Sequence, residues 1–456
     1  MIPQVKVGQE IPLKIKRLGI NGEGIGYYKR QAIFVKGALV DEEYSIMIDE
    51  VLSGYAIGHP VRSKSISNKR VKPFCPLYGK CGGCNLQHLS YESSLEAKRD
   101  LVIEAINRYS GVDPKSFEIK HTIGMDDPFG YRNKSSLPVC FDGKKTVLGI
   151  YEVETNKVVY IDDCPVQNQI VNKVNSEVLK LIDKHHVFAF NEKTKKGHLR
   201  YLVTRVGAST KEVQVTFITY QKMDLSRLAN DTMEVDGVES VYSDFNNDLR
   251  SHSIFGNHLK HLAGKKTIKE ALGNYIFELM PNAFFQLNPI QTVKLYDLIK
   301  KSAHLSRTDN VLDAYSGVGT IGIWIAESCK KVVGIESNAM AVNDAKCNAQ
   351  ANKIKNIEFI QGEVSKVLPK LVKEGFKPDV VLVDPPRTGL GNELINVLLK
   401  ESPRKIIYTS CNPSTLAKDL KILSSKYKIS FIQPIDMFPF TSNVECVAHL
   451  ILKNPK

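Results

Sequence analysis

Apolar and polar residues alternate in short bursts at the start of this chain and gather into longer blocks towards its end, which divides it into three regions. Between residues 1 and 61, Ile11–Leu18 alternates, and Gly19, Gly22, Gly24 and Gly26 mark a turn-rich loop. Ala32–Val35 and Tyr44–Ile48 follow as further strands. A small five-stranded barrel of OB type is the economical architecture. Such barrels commonly bind oligonucleotides, and Tyr27, Tyr28, Lys29 and Arg30 could supply stacking and charge. Residues 62–268 mix elements into an α+β domain. Ser90 caps a helix running to Arg108, with Leu95, Leu101, Val102, Ala105 and Ile106 at helical spacing, and this helix can pack on the following region. Runs such as Glu212–Ile218 predict antiparallel strands. From residue 269 to 456 the rhythm becomes strand–helix–strand, with apolar bursts at 310–315, 331–336, 357–360, 379–384 and 405–408. That predicts a doubly wound, Rossmann-like parallel sheet, which takes its ligand beyond the C-terminal strand ends. The fold class is therefore α/β multidomain.

At 456 residues the chain is too long for one core, and two or three domains are expected. Its net charge of +13, from 62 Lys and Arg against 49 Asp and Glu, is the excess that phosphate-backbone binding requires. The segment Arg62–Lys72 holds five cations and no acid, as a solvated linker, a phosphate contact or both. Tyr131–Lys134 and Lys195–Tyr201 are further basic stretches that suit an exposed rim or RNA contact. No apolar run approaches the roughly 20 residues of a membrane span, and the run Met1–Gly8 lacks the features of a signal peptide. A cytoplasmic protein is the expectation. Nine cysteines, an odd number, argue against a pure disulfide framework. Cys75, Cys81 and Cys84 cluster, and Cys164 follows before a proline; in a reducing compartment this suggests a metal. Spacing alone leaves a structural zinc and an iron–sulfur cluster both open.

Chemistry concentrates at the strand ends of the last region. Gly317, Gly319 and Gly322 let the backbone approach a nucleotide-like ligand, and Glu336, about twenty residues on, can accept hydrogen bonds from ribose hydroxyls. This pattern serves both NAD and S-adenosylmethionine (SAM). Asp384-Pro385-Pro386-Arg387 holds a carboxylate rigidly after a buried strand, a recurring mark of methyltransferases acting on nucleobases or amides, which favours SAM. Cys411 lies where a strand gives way to a helix that Asn412 can cap and Pro413 can start; the helix dipole there favours a thiolate. Asn443-Val444-Glu445 opens the last strand.

With Phe285-Gln286-Leu287-Asn288 and Asp313–Gly319, these motifs resemble the RNA uridine-5 methyltransferases, which make 5-methyluridine in ribosomal and transfer RNA. The N-terminal barrel is similar to a TRAM domain, so the resemblance covers nearly the whole chain. It implies a SAM pocket contacted by Gln286, Tyr315, Glu336 and Asp384, with Gly317 in the glycine loop. It implies further that the Cys411 thiolate adds to carbon 6 of an extruded uracil and that Glu445 later removes the carbon 5 proton. Some ribosomal RNA members have this cysteine arrangement and bind a 4Fe-4S cluster, which makes Cys75, Cys81, Cys84 and Cys164 candidate ligands, zinc being the alternative. Barrel and cysteine cluster together favour an enzyme acting on 23S ribosomal RNA, with transfer RNA the alternative substrate; a monomer is the expectation. A radical methylthiotransferase can also carry a TRAM domain, but its Cys-x3-Cys-x2-Cys does not match the Cys-x5-Cys-x2-Cys here. A non-catalytic RNA-binding or chaperone protein would have no need of Cys411 and Glu445 in their motifs.

Overall fold

The computed structural model describes residues 4–152, 155, 157–251 and 253–453. Met1–Pro3, within the N-terminal run considered for a targeting signal, lie outside the described residues, as do residues 454–456. Among the described residues the strands Glu10–Leu18, Gly24–Tyr28, Gln31–Val35, Glu43–Val51 and Tyr55–Ser65 close into a barrel. Alternation puts Ile15, Ile33, Val35 and Ile46 inside it. Gly24 and Gly26, expected in a loop, instead lie within the second strand. A Cβ on Gly26 would come 2.6 Å from the Lys14 carbonyl oxygen, so close strand approach is what demands glycine there. The next hairpin turns through Lys29 and Arg30 at φ +45° and +71°, the left-handed pair that matches hairpin twist, and both cations stand exposed at its tip.

The basic run after the barrel divides in two. Arg62 and Lys64 continue the last strand and are exposed. Arg70 turns inward to buried Glu42 at 2.6 Å, while Lys69 pairs with Glu96 at 2.7 Å. Burial alone would raise the Glu42 carboxyl, but hydrogen bonds from Arg70, Tyr44 and the Leu39 amide hold it down at about 2.

The middle of the chain builds a sheet of seven strands in the order Lys260–Gly264, Val238–Phe245, Val213–Thr219, Leu199–Val206, Lys134–Phe141, Thr146–Tyr151 and Val158–Tyr160. Val213–Thr219 pairs antiparallel with Leu199–Val206, as its alternation predicts, and parallel with Val238–Phe245. Helices Gln169–Lys184 and Ser226–Met233 contribute Val174, Val178 and Leu228 to its core.

The final region is a sheet ordered Ile357–Gln361, Lys331–Glu336, Asn310–Ala314, Val380–Val383, Lys405–Ser410, Glu445–Leu452, Tyr427–Ile435 and Glu118–Ile119. The first five strands are parallel, as expected; Glu445–Leu452 then runs antiparallel to both its neighbours. Strand order reverses around Asn310–Ala314, which opens the crevice where doubly wound sheets hold their ligands.

Residues 91–119 join this sheet rather than the central one. Ser90 caps the helix Tyr91–Tyr109, whose Val102, Ala105 and Ile106 pack with Leu416 and Leu420 of the helix Pro413–Leu423. From the same helix Lys98, with no exposed surface, forms an ion pair with Asp436, itself wholly buried. Its ammonium also donates to the Phe438 carbonyl at 3.0 Å, and the Tyr91 hydroxyl donates to Asp436 at 2.9 Å. Removing one member of such a pair leaves the other charge buried. Lys98→Met is therefore expected to cost about 3–5 kcal/mol in urea unfolding, with Lys98→Met/Asp436→Leu recovering part of that loss.

Candidate active site

The loop after the strand Asn310–Ala314 is bent by three left-handed residues, Tyr315, Gly317 and Gly319, at φ +64°, +53° and +84°. For Tyr315 this conformation is strained, a feature that concentrates at ligand sites. The glycines have different tasks. A Cβ on Gly319 would meet the Phe359 ring at 2.7 Å, and one on Gly322 would lie 2.9 Å from Asp313 Oδ2, so both secure close packing of helix against sheet. A Cβ on Gly317 would meet nothing within 4 Å; its face opens into the crevice. The Gly317 N–H donates to Glu336 Oε2 at 3.1 Å, and the buried Ser316 hydroxyl has no hydrogen-bond partner among the described residues. An open glycine cradle, a carboxylate beside it and an unpaired buried hydroxyl suit a ribose-bearing ligand such as SAM. Gln286 is half-buried in the loop before the helix Pro289–Ala303, and its carbonyl accepts from Asn133 at 3.3 Å.

Cys411, Glu445 and Asp384 meet through sheet register. Ser410 lies opposite Cys446 in the antiparallel pair, and one further step sets Cys411 across from Glu445. Val383 ends opposite Tyr408, which puts Asp384 at the same edge. Burial pushes the Glu445 carboxyl well up, nearby Asp384 adds to this, and Arg387 opposes it. Asp384 is likewise raised by burial. Asp313, behind them, is lifted to about 7, chiefly by burial and further by Asp384 and Glu336, against the N–H bond from Gly322. The helix after Cys411 starts as expected, with Asn412 accepting the Ser414 N–H at 3.1 Å. The thiol itself differs from the expectation of a favoured thiolate. Burial, Glu445 and Asp384 raise it, and these outweigh Arg387 and the local backbone.

The sequence motif by itself gives Arg387 no role, but its cationic effect reaches both Cys411 and Glu445. Its loop is tied to the Cys411 turn, since Asn412 Nδ2 and Thr415 Oγ1 each donate to the Arg387 carbonyl at 3.2 Å. With Asn443 it lines two cavities. One, of about 280 Å³, lies between Cys411 and the barrel and helix residues Arg17, Leu18 and Arg108. The other, of about 370 Å³, is lined by Cys75, Cys81, Cys84 and Cys164. Burial raises the thiols of Cys81 and Cys164, and that of Cys84 to about 12. Among the described residues no three His, Cys, Asp or Glu side chains gather as a ready metal-ion site.

The basic stretches are less exposed than a rim would be. Tyr131 and Asn133 are buried, and Lys134 donates to the Pro281 carbonyl at 3.2 Å; burial, then Arg205 and Arg132, lower its ammonium to about 6. In the second stretch Lys195 and Lys196 are exposed, but Arg200 is buried and donates to the Asn246 carbonyl at 2.6 Å. Among the described residues no helix is long and apolar enough to cross a membrane.

A glycine-cradled crevice at the strand ends of such a sheet, with a carboxylate beside it, is the site of a SAM-dependent methyltransferase. Comparison with known proteins narrows the class. Residues 90–453 match the tRNA (Uracil-5-)-methyltransferase family and residues 4–61 the TRAM domain. An uncharacterized RNA methyltransferase of Bacillus cereus is 42% identical over 455 residues, covering 99% of this chain and 98% of the relative. Another, from Halalkalibacterium halodurans, is 42% identical over 458 residues, covering 98% and 97%. Among solved structures, the tRNA (uracil-54, C5)-methyltransferase of Pyrococcus abyssi in complex with S-adenosyl-L-homocysteine superposes with a TM-score of 0.76 at 30% identity, over 97% of this chain and 100% of that one. The chain belongs to the uracil-5 RNA methyltransferase family, with a TRAM domain at its N-terminal end.

The raised thiol has a measurable consequence. Alkylation of Cys411 by iodoacetamide, followed peptide by peptide, is expected to titrate above the ordinary thiol value of 9.0. Arg387→Met, which removes the opposing cation, should move that midpoint higher, and Asp384→Asn should move it lower.

Proposed function

We propose that this enzyme methylates carbon 5 of a uridine in 23S ribosomal RNA through a covalent Cys411 adduct resolved by Glu445. The observation that carries the reading is the register that sets Cys411 across from Glu445, with Asp384 on the neighbouring strand end. SAM supplies an electrophilic methyl group when bound, and Gln286, Tyr315, Gly317, Glu336 and Asp384 are the residues that would hold it. Carbon 5 of uracil is a poor nucleophile. Addition of the Cys411 thiolate to carbon 6 moves the C5–C6 π electrons into an enolate and makes carbon 5 reactive. Once carbon 5 carries its new methyl group, Glu445 takes the remaining proton; the C5–C6 double bond re-forms and the sulfur leaves as thiolate. A raised carboxyl pKa makes Glu445 a stronger base once ionised, and Arg387 favours that ionised form. The nucleotide must leave its stack to reach the thiol.

Transfer RNA is the second reading, and one observation favours it. The Pyrococcus enzyme, named for uracil-54 of tRNA, aligns with 97% of this chain. Barrel and cysteine region therefore do not by themselves separate ribosomal from transfer RNA enzymes. Both substrates enter one test. Cys411→Ala should abolish methyl transfer, and Glu445→Gln should leave a SAM-dependent, slow-migrating RNA–protein band on denaturing gels. The RNA that forms this band, 23S or transfer, is the substrate, and unchanged turnover in Cys411→Ala would refute the mechanism.

We further assign the four-cysteine cavity to a 4Fe-4S cluster with a structural or RNA-positioning role, since the reaction needs no electron. All four cysteines are thiol donors facing one space of about 370 Å³. Protein purified without oxygen should be brown and contain iron and acid-labile sulfide. Zinc in place of iron would identify the other metal, and a metal-free protein would contradict the assignment.

A further inference from the structure

Residues 436–444 lead from the strand Tyr427–Ile435 into Glu445, and this short passage is gripped from outside along its length. Lys98 holds Asp436, and the Tyr131 hydroxyl donates to the Pro439 carbonyl at 3.2 Å. The densest grip comes from Asn85, the residue after Cys84. The N–H groups of Asn85 and Leu86 donate to the Phe440 carbonyl at 3.1 and 3.0 Å. Asn85 Oδ1 accepts the Ser442 N–H at 2.8 Å, and Asn85 Nδ2 donates to Ser442 Oγ at 3.0 Å and to the Asn21 carbonyl of the barrel at 2.5 Å. Ser442 Oγ completes the circuit by donating to the barrel carbonyl of Ile20 at 2.7 Å.

Two backbone observations show that the chain is shaped for this contact. Phe440 is held at φ +64°, strained for an aromatic residue, with its carbonyl committed to the Asn85–Leu86 turn. Gly22 sits on the barrel side at φ +86°, where a Cβ would lie 3.1 Å from Asn85 Nδ2. Cys411 has additional holds of its own that do not involve Asn85, the Ser410, Asn412 and Arg387 bonds of its turn.

We propose that Asn85 is a positioning residue for Glu445. Its single amide clasps the cysteine loop, the barrel loop and the lead-in to the base, so proton removal depends on barrel and cysteine loop being docked, whereas thiolate addition does not. The proposal rests on the reading of Glu445 as the base.

The test uses the full-length protein with SAM and substrate RNA, and compares Asn85→Ala, Ser442→Ala and Glu445→Gln. A displaced base slows elimination but not addition. Both clasp variants should therefore turn over roughly 10- to 100-fold more slowly, accumulate the covalent RNA adduct as Glu445→Gln does, and bind RNA within about twofold of the parent. Asn85→Asp, which keeps the bond from Ser442 N–H but loses the Nδ2 donations to Asn21 and to Ser442 Oγ, should recover part of the turnover. If Asn85→Ala does not fold, Ser442→Ala, which keeps the bonds to Phe440, decides the matter. Slow turnover without adduct, or loss of RNA affinity alone, while Glu445→Gln still traps the adduct, overturns the clasp and leaves the mechanism standing. No adduct in any variant overturns both.

Discussion

The buried ion pair between Lys98 and Asp436 is the constraint from which the arrangement of this enzyme follows. Burial pulls the Lys98 ammonium below its ordinary value, and Asp436 opposes that pull. Such a pair repays its desolvation only when every remaining valence is met. Here Tyr91 and the Phe438 carbonyl complete the set, and Gln291 Nε2 donates to the Asp436 carbonyl at 2.8 Å from a third element. The helix Tyr91–Tyr109, the helix Pro289–Ala303 and the last hairpin of the sheet are thus fixed to one point.

Beyond that anchor the crevice is an accumulation of carboxyl groups. Asp313, Asp384 and Glu445 are all raised, chiefly by burial, and Glu336 stands beside the glycine loop. A site so disposed favours a cationic ligand, and the donor that this family uses carries a sulfonium. A positive charge arriving in the crevice lowers the pKa of every carboxyl it faces. A sulfonium held facing Glu445 would therefore move that carboxyl towards the ionised form that its proposed task requires. The same charge offsets two of the influences that raise the Cys411 thiol, those of Glu445 and Asp384. Arg387 acts in the same sense from the protein side.

Much of this was legible in the sequence because it is local. Ser90 and Asn412 cap the helices they were expected to cap, since a short polar side chain before an apolar-periodic run has few other uses. Long-range partners were not legible. Arg70 looked free for phosphate until Glu42, far back in the barrel, claimed it. Tyr131-Arg132-Asn133-Lys134 looked like a basic rim because composition does not reveal that its neighbours turn it inward. Gly19 and Gly22 lie in the expected turn, but Gly24 and Gly26 were misplaced for a related reason, because close strand approach and a turn both ask for glycine. The thiol was misjudged because its helix position is written in adjacent residues, and the opposing carboxyls are not.

The antiparallel strand was within reach of the sequence, and it is the feature on which the site turns. Cys411 follows the end of one strand, while Glu445 begins another. In a wholly parallel sheet the end of one strand lies beside the end of its neighbour, and a residue opening that neighbour sits a full strand length away at the opposite edge. Only antiparallel pairing brings an end beside a beginning. A nucleophile at the close of one strand and a base at the opening of the next therefore require the reversal that the structure shows, with Tyr427–Ile435 passing outside so that Glu445–Leu452 can return between it and Lys405–Ser410. The passage that makes this return is residues 436–444, which explains why the ion pair, the strained Phe440 and the Asn85 clasp all converge there. Reversing a strand brings Cys411 and Glu445 together, and the contacts on residues 436–444 keep the reversal in register.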